Sequence, residues 1–264
     1  MCRVLDRAAE SHWQRHGWLW LRGFLGDEAA RDLGVWTDEI AAWPEVPGRW
    51  MRYYERRGGD AAAKMLARIE NFVPYHERLA ALFTGPRVLG LLADCVGEPV
   101  VLFKDKINFK LPGGAGFASH QDAPAYVDFG IDQHVTLMAP VDAFTADNGC
   151  LELARDARAR VFLPQNPDGT LRAGVMDALD VAPILARPGD VIVFDAWVPH
   201  RSGPNHSLAP RRSFYLTFNP SSAGDRRAAY YERKRECFPP EYERVPGVDY
   251  AARGRQFNLG NPFD

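Results

Sequence analysis

Residues 99–111, PVVLFKDKINFKL, alternate Lys104, Lys106, Asn108 and Lys110 with apolar neighbours. A period of two marks a strand with one side buried and a polar side facing something else. Similar short segments follow: HVTLMAPVDA (134–143), CLELA after the turn Asp147-Asn148-Gly149, VIVFDAWV after Pro188-Gly189-Asp190, and RRSFYLTF from Arg211 to Phe218. Many short strands closed by Gly and Pro turns fold as a sandwich or jelly roll. The N-terminal third reads helical. A helix over 5–15 stops at Gly17, Trp18–Leu21 is a short strand, and a second helix runs from Asp27 to about residue 43 on the stripe Leu33, Val35, Trp36 and Ile40. Residues 44–60 read as a loop, 61–70 and 75–95 as further helices, and the last forty as a short helix with an extended tail. The expectation is one domain over 1–264, mainly β with flanking helices. A helical region to about 98 packs outside a jelly-roll core (about 99–220), and 221–264 extend it.

Composition narrows the partners. Thirty-two Lys and Arg against 34 Asp and Glu give a net charge of -2, without the basic surplus of a nucleic-acid scaffold. A mean hydropathy of -0.30, with charges in every long stretch, argues against a membrane span. The opening MCRVLDRAAESHW lacks the apolar run of a secretory signal. Cys2, Cys95, Cys150 and Cys237 are scattered, with no C-x-x-C pair for a zinc cage. Each reads as a small buried hydrophobe in a reduced, cytoplasmic protein. A small-molecule substrate and a monomer or homodimer are expected, with no nucleic acid and no membrane.

Ser119-His120-Gln121-Asp122 contains His-x-Asp. On an extended segment residues i and i+2 share a face, so imidazole and carboxylate would meet one metal ion. The pattern alone also fits a surface or turn pair. His200, 80 residues later, follows the apolar strand Val191–Phe194 and could supply a third ligand. Two His and one carboxylate leave three open positions, as in non-heme Fe(II) oxygenases; zinc hydrolases use similar sets. Arg211, Ser213, Tyr215 and Thr217 share one strand face, and Arg212, Phe214, Leu216 and Phe218 the other. A buried Arg needs a partner, and a carboxylate such as the distal group of 2-oxoglutarate is the natural one.

With HGWLWLRGFLGDEAARDL, HQDA, DNGCLEL, RPGDVIVFDAWVPHRSGPNHS and the Arg-x-Ser strand in place, the chain resembles the phytanoyl-CoA dioxygenase family of Fe(II)/2-oxoglutarate oxygenases. The resemblance spans nearly the whole chain and implies a double-stranded β-helix. It implies that His120, Asp122 and His200 ligate iron, that Arg211 and Ser202 hold 2-oxoglutarate with Ser213 assisting, and that Lys106 touches the cosubstrate. It implies O₂ as the oxidant, succinate and CO₂ as products, and hydroxylation of an unactivated C–H bond. Asp122 stands where halogenating relatives carry Ala or Gly, which favours hydroxylation over halogenation. ARDARARVFLP departs from the family's Gly-Ser-His turn, so that loop's role is open.

The polar groups left over suggest the substrate. Lys104, Asn108 and Lys110 share the face of Lys106; Arg68, Glu70 and Asn71 precede a helix near the expected mouth; Gln121, Tyr126 and Trp197 flank the ligands. This partly cationic set suits a small anionic or zwitterionic substrate, though several of these groups read equally as solvated surface, and Trp197 as core. A weaker likeness, in ARIENFVPYH, KDKINFKLPGG, YYERKRECFPPEYERVPG and FNLGNPFD, is to a bacterial branch with members that hydroxylate small aminoalkylphosphonates beside phosphorus. The competing readings are a natural-product tailoring hydroxylase with a wide apolar pocket, a non-catalytic jelly-roll binding module, and a metal-dependent hydrolase.

Overall fold

The computed structural model describes residues 3–56, 64–156 and 159–260. Helix α1 (Arg7–His16) is capped by the Asp6 carboxylate and ends at left-handed Gly17. Strand β1 (Trp18–Leu21) leads to α2 (Gly26–Ala41), and α3 (Glu77–Phe83) and α4 (Pro86–Val96) follow later. Between α2 and α3 lie two strands, β2 (Met51–Arg56) and β3 (Lys64–Glu70). They correct the expected loop over 44–60 and helix over 61–70; residues 57–63 lie outside the described residues. AAAKMLARIE carries good helix formers, but pairing with a neighbouring strand overrides propensity. The N-terminal region therefore contributes three strands to the main sheet.

That sheet has seven strands in the order β1-β9-β6-β11-β4-β3-β2, with β4 (Val100–Lys110), β6 (Val135–Pro140), β9 (Val191–Asp195) and β11 (Arg211–Pro220) at its centre. A second, four-stranded sheet has the order β5-β10-β7-β8, from β5 (Phe117–His120), β7 (Leu151–Ala154), β8 (Val181–Ile184) and β10 (His200–Ser202). Two antiparallel sheets face to face make the jelly roll. The period-two reading of β11 is correct. Phe214, Leu216 and Phe218 join the core beneath the helices, while Tyr215 packs between the sheets with Phe194, Leu151 and Leu153. Arg212, on the helix side, pairs with Asp142 at 2.8 Å and Asp38 at 2.6 Å.

After β11 the chain forms α5 (Arg227–Cys237) and the short α6 (Tyr250–Arg253). Tyr230, Tyr231, Phe238, Phe257 and Leu259 pack with Phe103 and Tyr126, so this segment closes one end of the β-sandwich. Cys95, Cys150 and Cys237 are buried, as expected, and none forms a disulfide among the described residues; Cys2 lies outside them. No single helix among the described residues is long and apolar enough to cross a membrane.

Candidate active site

The inner face of the large sheet is a grid of polar rows. Register sets Arg211 beside Lys110, then Ser213 beside Asn108 and Arg68, then Tyr215 beside Lys106 and Glu70, then Thr217 beside Lys104. One extra residue on β4, Phe103, bulges between Lys104 and Leu102 without moving the lysines off this face. Strand β3 carries Arg68 and Glu70 onto it.

The small sheet supplies the opposing wall. His120 ends β5 and His200 begins β10; they are direct cross-strand partners with ring centroids 4.2 Å apart. Asp122 is not on the strand. It has helical φ and ψ (-75° and -28°) and starts a 3-10 turn, which swings its carboxylate back to 3.8 Å from His120 Nε2. The expected convergence is present, but a turn makes it rather than strand alternation. Ligand atoms of His120, Asp122 and His200 all lie within 4.8 Å of one another, and all three residues are buried. The Nδ1 atoms of His120 and His200 lie 2.7 and 3.0 Å from the carbonyls of Ala118 and Val198. Bonding there leaves each Nε2 as the lone-pair donor. Burial, with His200 nearby, pushes His120 down to about 3, and burial lowers His200. Burial alone would raise Asp122, but Lys104, His200 and Lys106 outweigh it and hold the carboxylate ionised. Two neutral imidazoles and a carboxylate are the states a divalent metal requires.

Arg211 is fully buried, and among the described residues none of its three guanidinium nitrogens has a hydrogen-bond partner; Ser213 Oγ is likewise unpartnered there. Leaving a buried charge uncompensated costs roughly 3–5 kcal/mol. A guanidinium fork beside a free hydroxyl has the donor set that a carboxylate would satisfy. Lys110, expected with the substrate-facing lysines, lies at this end instead. Its Nζ donates to Ser202 Oγ (2.7 Å), to Gly149 O (3.2 Å) and to Gly203 O. Occupying the Ser202 lone pair leaves that hydroxyl's own proton free for an acceptor. The backbones of residues 149 and 203 approach so closely that a Cβ on Gly149 would lie 2.0 Å from Gly203 O.

Beside the triad is a narrow cleft lined by Arg68, Glu70, Lys104, Lys106, Asp122 and Lys234, with Tyr230, Gln256, Phe257 and Leu259 closing it. It is charged, unlike the wide apolar pocket of a tailoring enzyme. Lys104 lies over the Tyr126 ring at 4.6 Å and Lys106 over Tyr215 at 5.0 Å. Neither ammonium is within ion-pair distance of an acid among the described residues. Arg68 donates to Asn108 Oδ1 at 2.9 Å, so Asn108 acts by holding Arg68. Tyr126 likewise backs Lys104. Asn71 is turned away, bonding the Arg49 carbonyl and Arg227.

Gln121 is a correction. Its Nε2 donates to Trp197 O (2.7 Å) and Val161 O (3.1 Å), and its Oε1 accepts from Leu163 N (3.0 Å). As the residue between two ligands it points the other way, and it anchors the unusual 160s loop instead of meeting substrate. Trp197 is half-buried and packs against the exposed Phe162 ring at 4.8 Å, at the edge of the core rather than within it. Sequence reasoning missed Lys234, Tyr230, Gln256, Phe257 and Leu259. Tyr230 and Lys234 stand four apart on α5, the spacing of one helix face, and that was their only signal.

The residues from 13 to 213 match the family model described as phytanoyl-CoA dioxygenase (PhyH). The chain is 44% identical over 254 residues to a 2-aminoethylphosphonate dioxygenase of the uncultured bacterium HF130_AEPn_1, covering 96% of this chain and 97% of that one. It is 38% identical over 238 residues to a methylphosphonate hydroxylase of Gimesia maris, covering 90% of each. Among solved structures, EctD from S. alaskensis with 2-oxoglutarate and 5-hydroxyectoine has the same fold, with a TM-score of 0.72 at 17% identity over 84% of this chain and 78% of that one. The inter-sheet His-Asp-His cluster, the fold and these matches agree: the chain belongs to the phytanoyl-CoA dioxygenase family.

Proposed function

We propose that this Fe(II)- and 2-oxoglutarate-dependent dioxygenase hydroxylates a small aminoalkylphosphonate at the carbon bonded to phosphorus. The observation that carries the reading is the pairing of an open His-Asp-His cluster with a cleft into which Lys104 and Lys106 bring amines that have no acid partner among the described residues; burial lowers the pKa of both, so each is stabilised in its charged form by an anion. A phosphonate brings two or three strong acceptor oxygens and up to two negative charges to that cleft. The 2-aminoethylphosphonate dioxygenase and methylphosphonate hydroxylase relatives support the same substrate class.

His120, Asp122 and His200 would hold the iron, which supplies O₂ activation coupled to decarboxylation of 2-oxoglutarate. Arg211 and Ser213 would neutralise and orient the distal carboxylate, with Ser202 donating the hydrogen that Lys110 leaves free. Lys106 sits one strand from Tyr215 and one from Glu70, and so stands between cosubstrate and substrate. Lys104, Lys106 and Arg68 would hold the phosphonate oxygens and fix which carbon faces the metal. Phe257, Leu259 and Tyr230 would keep water from the reacting carbon. Three buried cysteines outside any disulfide among the described residues support a reducing compartment, and we place the protein in the cytoplasm.

The test begins without oxygen. Fe(II) and then 2-oxoglutarate are added, and the visible spectrum is followed for a weak charge-transfer band that His200→Ala abolishes. With oxygen admitted, succinate formation is compared across aminoalkylphosphonates, alkylphosphonates, amino acids and ectoine-like solutes. Stimulation by phosphonates alone is the expected result. A band without phosphonate-dependent succinate, while another class is turned over, overturns the substrate assignment but keeps the reaction class.

A further inference from the structure

The cleft contains two acids, and only one remains once a metal takes Asp122. That acid is Glu70, 1% exposed on β3. Its Oε1 receives Lys234 Nζ at 2.6 Å and faces Arg68 at 3.4 Å. Its Oε2 has no hydrogen-bond partner among the described residues, although a buried carboxylate oxygen left unpaired is costly. Burial would push Glu70 up, but Lys234, Arg68 and Lys104 bring it down to about 2, so it is ionised. In register Glu70 stands directly beside Lys106, whose ammonium has no acid partner. One cleft thus presents, on neighbouring strands, a free carboxylate oxygen and the Lys106 amine, which burial pushes well below its ordinary pKa, so that it gains most from an arriving anion.

We propose that Glu70 Oε2 accepts the substrate's ammonium group, making Glu70 the residue that selects aminoalkyl- over alkylphosphonates. The inference rests on the phosphonate reading above and adds the cationic end of the ligand to it. The phosphonate lies toward Lys104 and Lys106, beside Asp122, and the ammonium reaches Glu70 on the next strand, about 4.8 Å further from the sheet centre. Two carbons between the charged groups suit one strand spacing. Lys234, delivered by α5, fixes the carboxylate by occupying Oε1 and leaves Oε2 aimed at the ligand. A ligand lacking the amine would leave that oxygen unpaired in the closed cleft, which is how a buried polar group rejects an isostere.

The test compares 2-aminoethylphosphonate with propylphosphonate, which replaces the ammonium by a methyl group. Binding is measured by calorimetry without oxygen, with Fe(II) and 2-oxoglutarate present, on wild type, Glu70→Gln and Glu70→Asp. The wild type is expected to prefer the amine by about 10- to 100-fold, the range of a charged hydrogen bond. Glu70→Gln should lose most of that preference while holding propylphosphonate within about threefold, and Glu70→Asp should fall between. Thermal unfolding of each variant establishes that it folds; if Glu70→Gln does not, the aspartate, which keeps the charge facing Lys234 and Arg68, carries the test. Equal losses for both ligands would make Glu70 a purely structural partner of Lys234 and overturn the proposal. Wild type binding both phosphonates equally would also overturn it while leaving the phosphonate reading intact. Binding of neither would remove that reading and this one together.

Discussion

The guanidinium of Arg211 lies 4.6 Å from the centre of the Phe144 ring, and among the described residues it has neither a hydrogen bond nor an ion pair. A cation over an aromatic face gains about 1–2 kcal/mol, well short of the cost of burying it unpaired. The position is therefore destabilising until an anion arrives.

Arg211→Met should act in opposite directions on stability and function. The ligand-free protein should gain about 1–3 kcal/mol, because an apolar side chain of similar length replaces an uncompensated charge. Affinity for 2-oxoglutarate should fall by roughly 100-fold or more, the cost of a lost bidentate charged pair. Urea unfolding and an anaerobic cosubstrate titration read the two effects separately, and Fe(II) affinity should hardly change.

Buried histidines predict an acid-sensitive fold. His120 and His134 are both held near pKa 3 by burial, against an ordinary 6.5, and His200 is also lowered. Below pH 6.5 the unfolded chain binds protons that the folded chain refuses. Metal-free stability should thus be full above about pH 6.5 and fall by up to 1.4 kcal/mol per pH unit per histidine as the pH drops toward 3. His134→Gln should reduce that slope by about one histidine's share and leave Fe(II) binding unchanged. Denaturant midpoints at pH 7.5, 6.0 and 5.0 provide the comparison.

Gly260 has φ +64°, and a Cβ there would lie 2.6 Å from His120 Nδ1 and 2.7 Å from Ala118 O. Those are the two atoms whose bond orients the His120 ring. Gly260→Ala should lower Fe(II) affinity by about 10- to 100-fold, the usual cost of losing a group that orients a metal ligand. Fluorescence-detected metal titration would reveal it; unchanged affinity would mean the tail simply moves aside.

Gln121→Leu should destabilise the fold by about 2–4 kcal/mol, since three backbone groups in two loops lose a buried partner. In the fraction that remains folded, substrate KM should stay within about threefold, because the amide faces away from the cleft. A large KM effect at unchanged stability would return Gln121 to the substrate site.

The metal cluster and Arg211 were legible because short patterns encode them: His-x-Asp, a His after an apolar strand, and period-two alternation along RRSFYLTF. The same alternation placed Lys104, Lys106 and Asn108 on one face. Arg68 and Glu70 were misplaced because AAAKMLARIE favours a helix locally, and only pairing with Lys106 and Asn108, about forty residues on, makes it a strand. Lys234 was hidden for a related reason. Within YYERKREC it reads as one charge in a solvated run, and what buries it is Glu70, 164 residues away. Local rules recover what a segment does alone, and this cleft is assembled from contacts between distant segments.

The direct pairing of His120 with His200 has a consequence for folding fidelity. Side chains alternate faces along β10, so sliding it by one residue against β5 would present Arg201, not His200, to the metal. A strand of three residues has little hydrophobic pattern of its own to prevent that slip. Iron capture would then work as a proofreading step, because only the chain aligned to the residue binds the ion, and binding draws misaligned molecules toward that alignment.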